Sequence, residues 1–155
     1  MKKSSAKEPD RKGEEIGIVA SRYNEKYVDA LVLAAQEILK DVPRRVVRVP
    51  GAHEIPWAVQ RMLRDPQVAV VIAFGVVWQG GTEHARLVAE EVSRALMDLA
   101  LIYDKPVIHQ VLTVSSDKQA RARCFGKKLN RGVEGARAAL EMRALALNLD
   151  KKIKE

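Results

Sequence analysis

A parallel α/β fold is what this sequence predicts, and three observations carry that prediction. Short runs rich in Val and Ile alternate with longer stretches of helical periodicity. The strand-like runs are apolar along nearly their whole length, as strands covered on both faces must be. The segments joining them are long enough to hold a helix, which parallel neighbours require.

The elements follow in order. Residues 16–21 (IGIVAS) form the first strand, and Val28, Leu31, Val32, Ala35, Ile38 and Leu39 then recur at helical spacing. Residues 45–50 (RVVRVP) form the second, with a helix that can start at Pro56, a residue suited to a first turn. Residues 68–78 (VAVVIAFGVVW) form the third, followed by Val88, Val92, Ala95, Leu96, Leu99 and Ile102 on one helical face. Residues 106–114 (PVIHQVLTV) form the fourth, and the next helix carries a capping box from Ser116 to Gln119. Gly126 breaks that helix before a last one, whose Val133, Ala136, Leu140, Ala144 and Leu147 face one way. Four parallel strands result; an extra N-terminal edge strand is compatible with the pattern.

The 155 residues suit one domain, here 14–150, between a flexible basic tail at 1–13 and a charged end at 151–155. Of the net charge of +7, four charges lie in residues 1–12 and 150–155, so the body is nearly balanced and nucleic acid is not the expected partner. The single cysteine, Cys124, has no disulfide partner. The N-terminus lacks the apolar region of a signal peptide, and no apolar run approaches the roughly 20 residues of a membrane span. A cytoplasmic protein without a membrane contact is expected.

Ligands of open parallel sheets bind beyond the carboxyl ends of the strands, so function should gather in SRYNE, PGAHEIP, QGGTEH and TVSSD. Gly80, Gly81 and Thr82 lead into a helix, and their N–H groups with the helix terminus behind them would cradle an anion. The same three residues also make an ordinary turn with Thr82 as N-cap. His84 follows in the first helical turn, where the positive end of the dipole disfavours a cation and a neutral imidazole can accept a proton; a plain surface histidine fits the position as well. His53 and His109, also near strand ends, fit hydrogen-bonded packing roles. No histidine pair has metal-ligand spacing, and neither a dinucleotide nor an NTP fingerprint is present, so no metal and no cofactor is expected.

IVASRYN, VPGAHEIP, GVVWQGGTEH, PVIHQVLT and GARAALEM together, in this order and spacing, resemble the signature segments of the 6,7-dimethyl-8-ribityllumazine synthase family across nearly the whole chain. The resemblance implies a flavodoxin-like three-layer sandwich and a homopentamer with active sites between neighbouring subunits. It implies condensation of 5-amino-6-(D-ribitylamino)uracil with 3,4-dihydroxy-2-butanone 4-phosphate, the penultimate step of riboflavin synthesis, and a functional link to riboflavin synthase. By resemblance His84 is the catalytic proton shuttle, and Gly81, Thr82 and Arg123 bind the phosphate. Tyr23 stacks on the pyrimidine; Ala52, His53 and Glu54 meet the pyrimidine and ribityl chain. Val76, Val77 and Trp78 offer backbone groups to the ring, and His109 reaches its other face from a neighbouring subunit.

The chain departs from the family pattern at several of these positions. His53 stands where phenylalanine or tyrosine is common and His109 where phenylalanine is, so a more polar pocket is expected. Gln79 replaces a common arginine. In CFGKKLNRG, which begins at Cys124, Leu129 takes the place of a flexible glycine at the junction that in this family influences whether pentamers remain single, pair into decamers or close into an icosahedral shell of twelve. A homologue that binds lumazine or flavin, or builds a shell, with little turnover is the alternative class. Turnover with both substrates separates it from the enzyme.

Overall fold

The computed structural model describes residues 13–154. The expected flexible tail, and any edge strand it would add, fall almost wholly on residues 1–12 and so lie outside the described residues.

The sheet forms because its centre is apolar on both faces. β1 (Glu15–Ser21), β2 (Arg44–Val49), β3 (Val68–Trp78) and β4 (Val107–Val114) run parallel in the order β2-β1-β3-β4. Along β3, Val70, Ile72, Phe74 and Val76 point to one face, and Val71 and Ala73 to the other. The first face is covered by α1 (Glu25–Ile38), α4 (Asp117–Cys124) and α5 (Arg131–Ile153), the second by α2 (Ile55–Leu63) and α3 (Glu83–Tyr103). A short 3-10 turn, Ala52–Glu54, precedes α2. The result is the three-layer α/β arrangement expected, with all four strands in their predicted positions to within a residue or two.

The departures are local and have packing causes. Ile102 lies 72% exposed at the end of α3 rather than on its buried stripe of Val92, Leu96 and Leu99. On α5 the buried residues are Gly132, Gly135, Ala136 and Ala139, while Leu147 faces outward. This follows from how closely α5 lies on α1: a Cβ at Gly132 would sit 2.3 Å from the Leu31 carbonyl oxygen. Only small residues allow that approach, so Leu140 packs at the margin of this core rather than in the contact itself. The capping box at Ser116 forms by half. Ser116 Oγ accepts the Gln119 N–H at 3.2 Å, whereas the Gln119 side chain accepts from Ser115 N and Oγ.

The amino edge of the sheet is locked. Arg45 donates to Glu15 Oε1 at 2.7 Å and to Asp65 Oδ2 at 2.9 Å, and Lys105 Nζ donates to the Leu63 and Asp65 carbonyls at 2.9 and 2.8 Å. The backbone N–H of Gln67, and then Arg45, hold the Asp65 carboxyl below its usual range. No helix among the described residues is long and apolar enough to cross a membrane.

Gly132→Val drives a branched side chain into the α1 backbone, and overpacking of this kind costs about 1–3 kcal/mol. Gly80→Ala meets no atom within 4 Å and should leave stability unchanged. Thermal unfolding of the two variants checks both: a clear fall in Tm is expected for Gly132→Val alone.

Candidate functional site

The opening at the carboxyl edge arises from unequal strand lengths. β3 has eleven residues, but its pairing with β1 ends at Ala20 opposite Phe74, while its pairing with β4 continues to Trp78 opposite Val114. Beyond Phe74 the β1 side of β3 therefore has no strand beside it. The chain leaving β1 turns instead toward β2, with Arg22 N donating to Val49 O and Tyr23 N to Pro50 O. Between the two diverging ends lies a cleft of about 450 Å³.

Asn24 holds that cleft open. It is the residue before α1, in the left-handed region at φ 59, and an asparagine there would ordinarily cap the helix with its side chain. Here its Nδ2 crosses the gap and donates to the Val76 carbonyl at 2.7 Å. One residue thus sets the turn out of β1 and fixes the exposed end of β3.

The walls come from the loops. Tyr23, 73% exposed, stands on one side. After β2, Glu54 Oε2 accepts the Gly51 N–H at 2.9 Å, which closes the 3-10 turn and orients the carboxylate while leaving Oε1 free for a ligand hydroxyl. His53 Nε2 lies 3.5 Å from Glu91 Oε2, linking this turn to α3. The floor is Val76, Val77 and Trp78, and Trp78 is braced from behind by Tyr27 in an edge-to-face contact at 5.7 Å. The Tyr27 hydroxyl in turn donates to Asp117 at the start of α4.

The far wall is the start of α3. Thr82 is its N-cap residue in extended geometry, and its side chain makes no cap hydrogen bond, so the first-turn N–H groups are open to an anion. Added Cβ atoms at Gly80 and Gly81 would meet nothing within 4 Å. Gly80, Thr82 and His84 all line the cleft, while Gly81 faces an adjoining hollow of about 280 Å³ with Gln79, Glu83 and Arg86.

Of the residues expected in the site, Tyr23, Ala52, His53, Glu54, Val76, Val77, Trp78, Thr82 and His84 are gathered in one cleft. Two are not. Arg123 lies on α4, which covers the opposite sheet face from α3, and its Nη1 is buried without a protein acceptor. His109 points toward α3 from β4: Nδ1 accepts the Val111 N–H at 3.1 Å and Nε2 lies 2.6 Å from Ser93 Oγ, within a separate open concavity of about 680 Å³. In the sequence Asn24 stands in the SRYNE loop without being singled out; an asparagine between a strand and a helix, a residue that tolerates a left-handed turn, is the signal the sequence offers. Among the described residues no three His, Cys, Asp or Glu side chains gather to hold a metal. Burial pushes the Cys124 thiol up to about 11, which makes it a poor nucleophile at neutral pH.

Comparison with known proteins shows the family of the chain. The family profile described as 6,7-dimethyl-8-ribityllumazine synthase matches residues 13–146. The chain is similar to the 6,7-dimethyl-8-ribityllumazine synthase of Aquifex aeolicus (strain VF5), 39% identical over 142 residues, which are 88% of this chain and 92% of that protein. It is also similar to proteins of the same name from Xanthomonas campestris pv. campestris (strain B100), 42% identical over 81% of this chain and 84% of the relative, and Halorhodospira halophila (strain DSM 244 / SL1), 38% identical over 86% and 88%.

Asn24→Ala removes both the left-handed tolerance and the bond to Val76, whereas Asn24→Gly removes only the bond. Denaturant unfolding should show Ala less stable than Gly by about 1 kcal/mol, with Gly itself about 0.5–1.5 kcal/mol below the parent. Equal stability of both variants and the parent would mean that this bridge does not hold the cleft.

Proposed function

The chain belongs to the 6,7-dimethyl-8-ribityllumazine synthase family, and on that premise we propose that it condenses 5-amino-6-(D-ribitylamino)uracil with 3,4-dihydroxy-2-butanone 4-phosphate to give 6,7-dimethyl-8-ribityllumazine. The observation that carries this reading is the single cleft in which an exposed aromatic ring, an oriented carboxylate, an open strand edge, a helix N-terminus and a histidine converge.

Each group answers a need of the reaction. The pyrimidine stacks on Tyr23, a contact worth about 1–3 kcal/mol, and meets the backbone of β3 beyond Phe74, where no strand pairs with it on the β1 side. The ribityl hydroxyls donate to Glu54. The phosphate ester lies at Gly81 and Thr82, against the first turn of α3. The 5-amino nitrogen then adds to the ketone and expels water as the imine forms. Loss of the adjacent C–H proton lets the electron pair expel phosphate from the terminal carbon, and tautomerisation leaves a methyl group beside a new carbonyl. The ribitylamino nitrogen closes the ring on that carbonyl with loss of a second water. His84 accepts and returns the protons at these steps. Holding two substrates in contact supplies much of the remaining acceleration.

Arg123 and His109 are outside the cleft of their own chain, and we assign both to the cleft of an adjacent copy in a homopentamer. Support comes from the apolar surface left in water: Trp57 on α2 and Leu87, Met97, Leu101 and Ile102 on α3 are all exposed.

Mixing the two substrates with the protein should raise lumazine absorbance and fluorescence above the uncatalysed rate. Formation only at the uncatalysed rate, with lumazine still bound, would favour a binding homologue. His84→Ala should lower kcat by up to about 10²-fold with lumazine affinity retained; a change confined to affinity would contradict the proton-transfer role. Arg123→Ala should raise the KM of the butanone phosphate about tenfold or more and leave the pyrimidine KM nearly unchanged. Refolding the two variants together should restore part of the activity, since mixed rings contain interfaces with both residues intact. No recovery would place Arg123 in its own chain's site or in none.

A further inference from the structure

His109 stands at a position where phenylalanine is common in the family, and its contacts decide what kind of surface it presents. The Val111 N–H at Nδ1 requires a lone pair on that nitrogen, so the ring proton is on Nε2 and is donated to Ser93 Oγ at 2.6 Å. A second proton at Nδ1 would confront the Val111 N–H, and burial already holds the imidazole below the usual histidine range. The charged groups lining the same concavity, Arg86, Glu90 and Arg94, all belong to α3, and Arg86 is engaged with Glu90 at 2.8 Å. Both nitrogens are thus used within the chain, while the residue as a whole remains exposed. What is left to a ligand is the flat face and the C–H edge.

We propose that Ser93 is a positioning residue which, with the Val111 N–H, converts His109 into a neutral aromatic plate that stacks on the pyrimidine held by an adjacent copy. The inference rests on the function proposed above. It replaces the more polar pocket expected from a histidine: the imidazole offers no free donor or acceptor, so a planar ring is selected without a hydrogen bond to it.

The test uses the full chain. In the parent, nitrogen NMR of His109 should show a neutral ring protonated on Nε2 with a slowly exchanging proton. Ser93→Ala should lose that protection and Ser93→Thr, which keeps the hydroxyl, should restore it. With both substrates, Ser93→Ala should raise the pyrimidine KM by about 2- to 10-fold while kcat changes less, and Ser93→Thr should recover most of the loss. His109→Phe needs no hydroxyl to orient it, so adding Ser93→Ala to His109→Phe should cause no further rise in KM. A ring protonated on Nδ1 or charged at neutral pH would overturn the proposal, as would a KM penalty for Ser93→Ala that persists beside His109→Phe. Lack of turnover in the parent would remove the functional reading and the stacking role with it, and the ring signal would still report whether Ser93 sets the tautomer.

Discussion

Everything at this site depends on the eleven-residue strand β3 outrunning the strand beside it. β1 stops pairing at Ala20 and bends toward β2, while β3 continues to Trp78 against β4. In the order β2-β1-β3-β4 the connections leave β1 and β3 in opposite directions, so no loop fills the gap between them. A crevice results, with backbone groups exposed on one side and loops on the other. Asn24 is the cost and the remedy in one residue: a left-handed turn that sends the chain away from β3, and an amide that reaches back to hold Val76.

The rest of the fold serves to keep that edge rigid. The amino edge is bound by Arg45, Glu15, Asp65 and Lys105, so the strands are anchored at the end away from the cleft. On one sheet face α5 lies so close to α1 that glycine is required at Gly132, and the aromatic chain from Trp78 through Tyr27 to Asp117 couples the cleft floor to α4. On the other face α3 begins at the cradle and runs past His109, so one helix carries His84 at its start and Ser93 against the β4 imidazole.

The sheet was legible in the sequence because burial on both faces forces a continuous apolar run, and Val70 to Val76 can hardly be read otherwise. The face of α5 was legible only in part: Ala136 and Leu140 lie on it, but hydrophobic periodicity ranks leucine above glycine and alanine and cannot know that a neighbouring carbonyl excludes larger side chains. The cleft residues were legible because the topology places every strand's carboxyl end on one edge, so Tyr23, Glu54, Thr82 and His84 had to be neighbours. The site roles of Arg123 and His109 came from the family resemblance alone, which already implied that His109 serves a neighbouring subunit; that Arg123 lies away from the cleft of its own chain is a fact of three-dimensional layering that spacing does not encode. Asn24 escaped notice because its role is a bond across 52 residues of sequence.

On the function proposed above, substrate lies in the crevice between the ends of β1 and β3. A crystal structure of the protein with a bound ribitylated pyrimidine tests it most directly. The ring should lie between Tyr23 and the exposed edge of β3 at Val76–Trp78, with the ribityl chain directed to Glu54 and the open side toward Thr82 and His84. A ring found elsewhere, or one that displaces Asn24 from Val76 and closes the gap, would contradict the account.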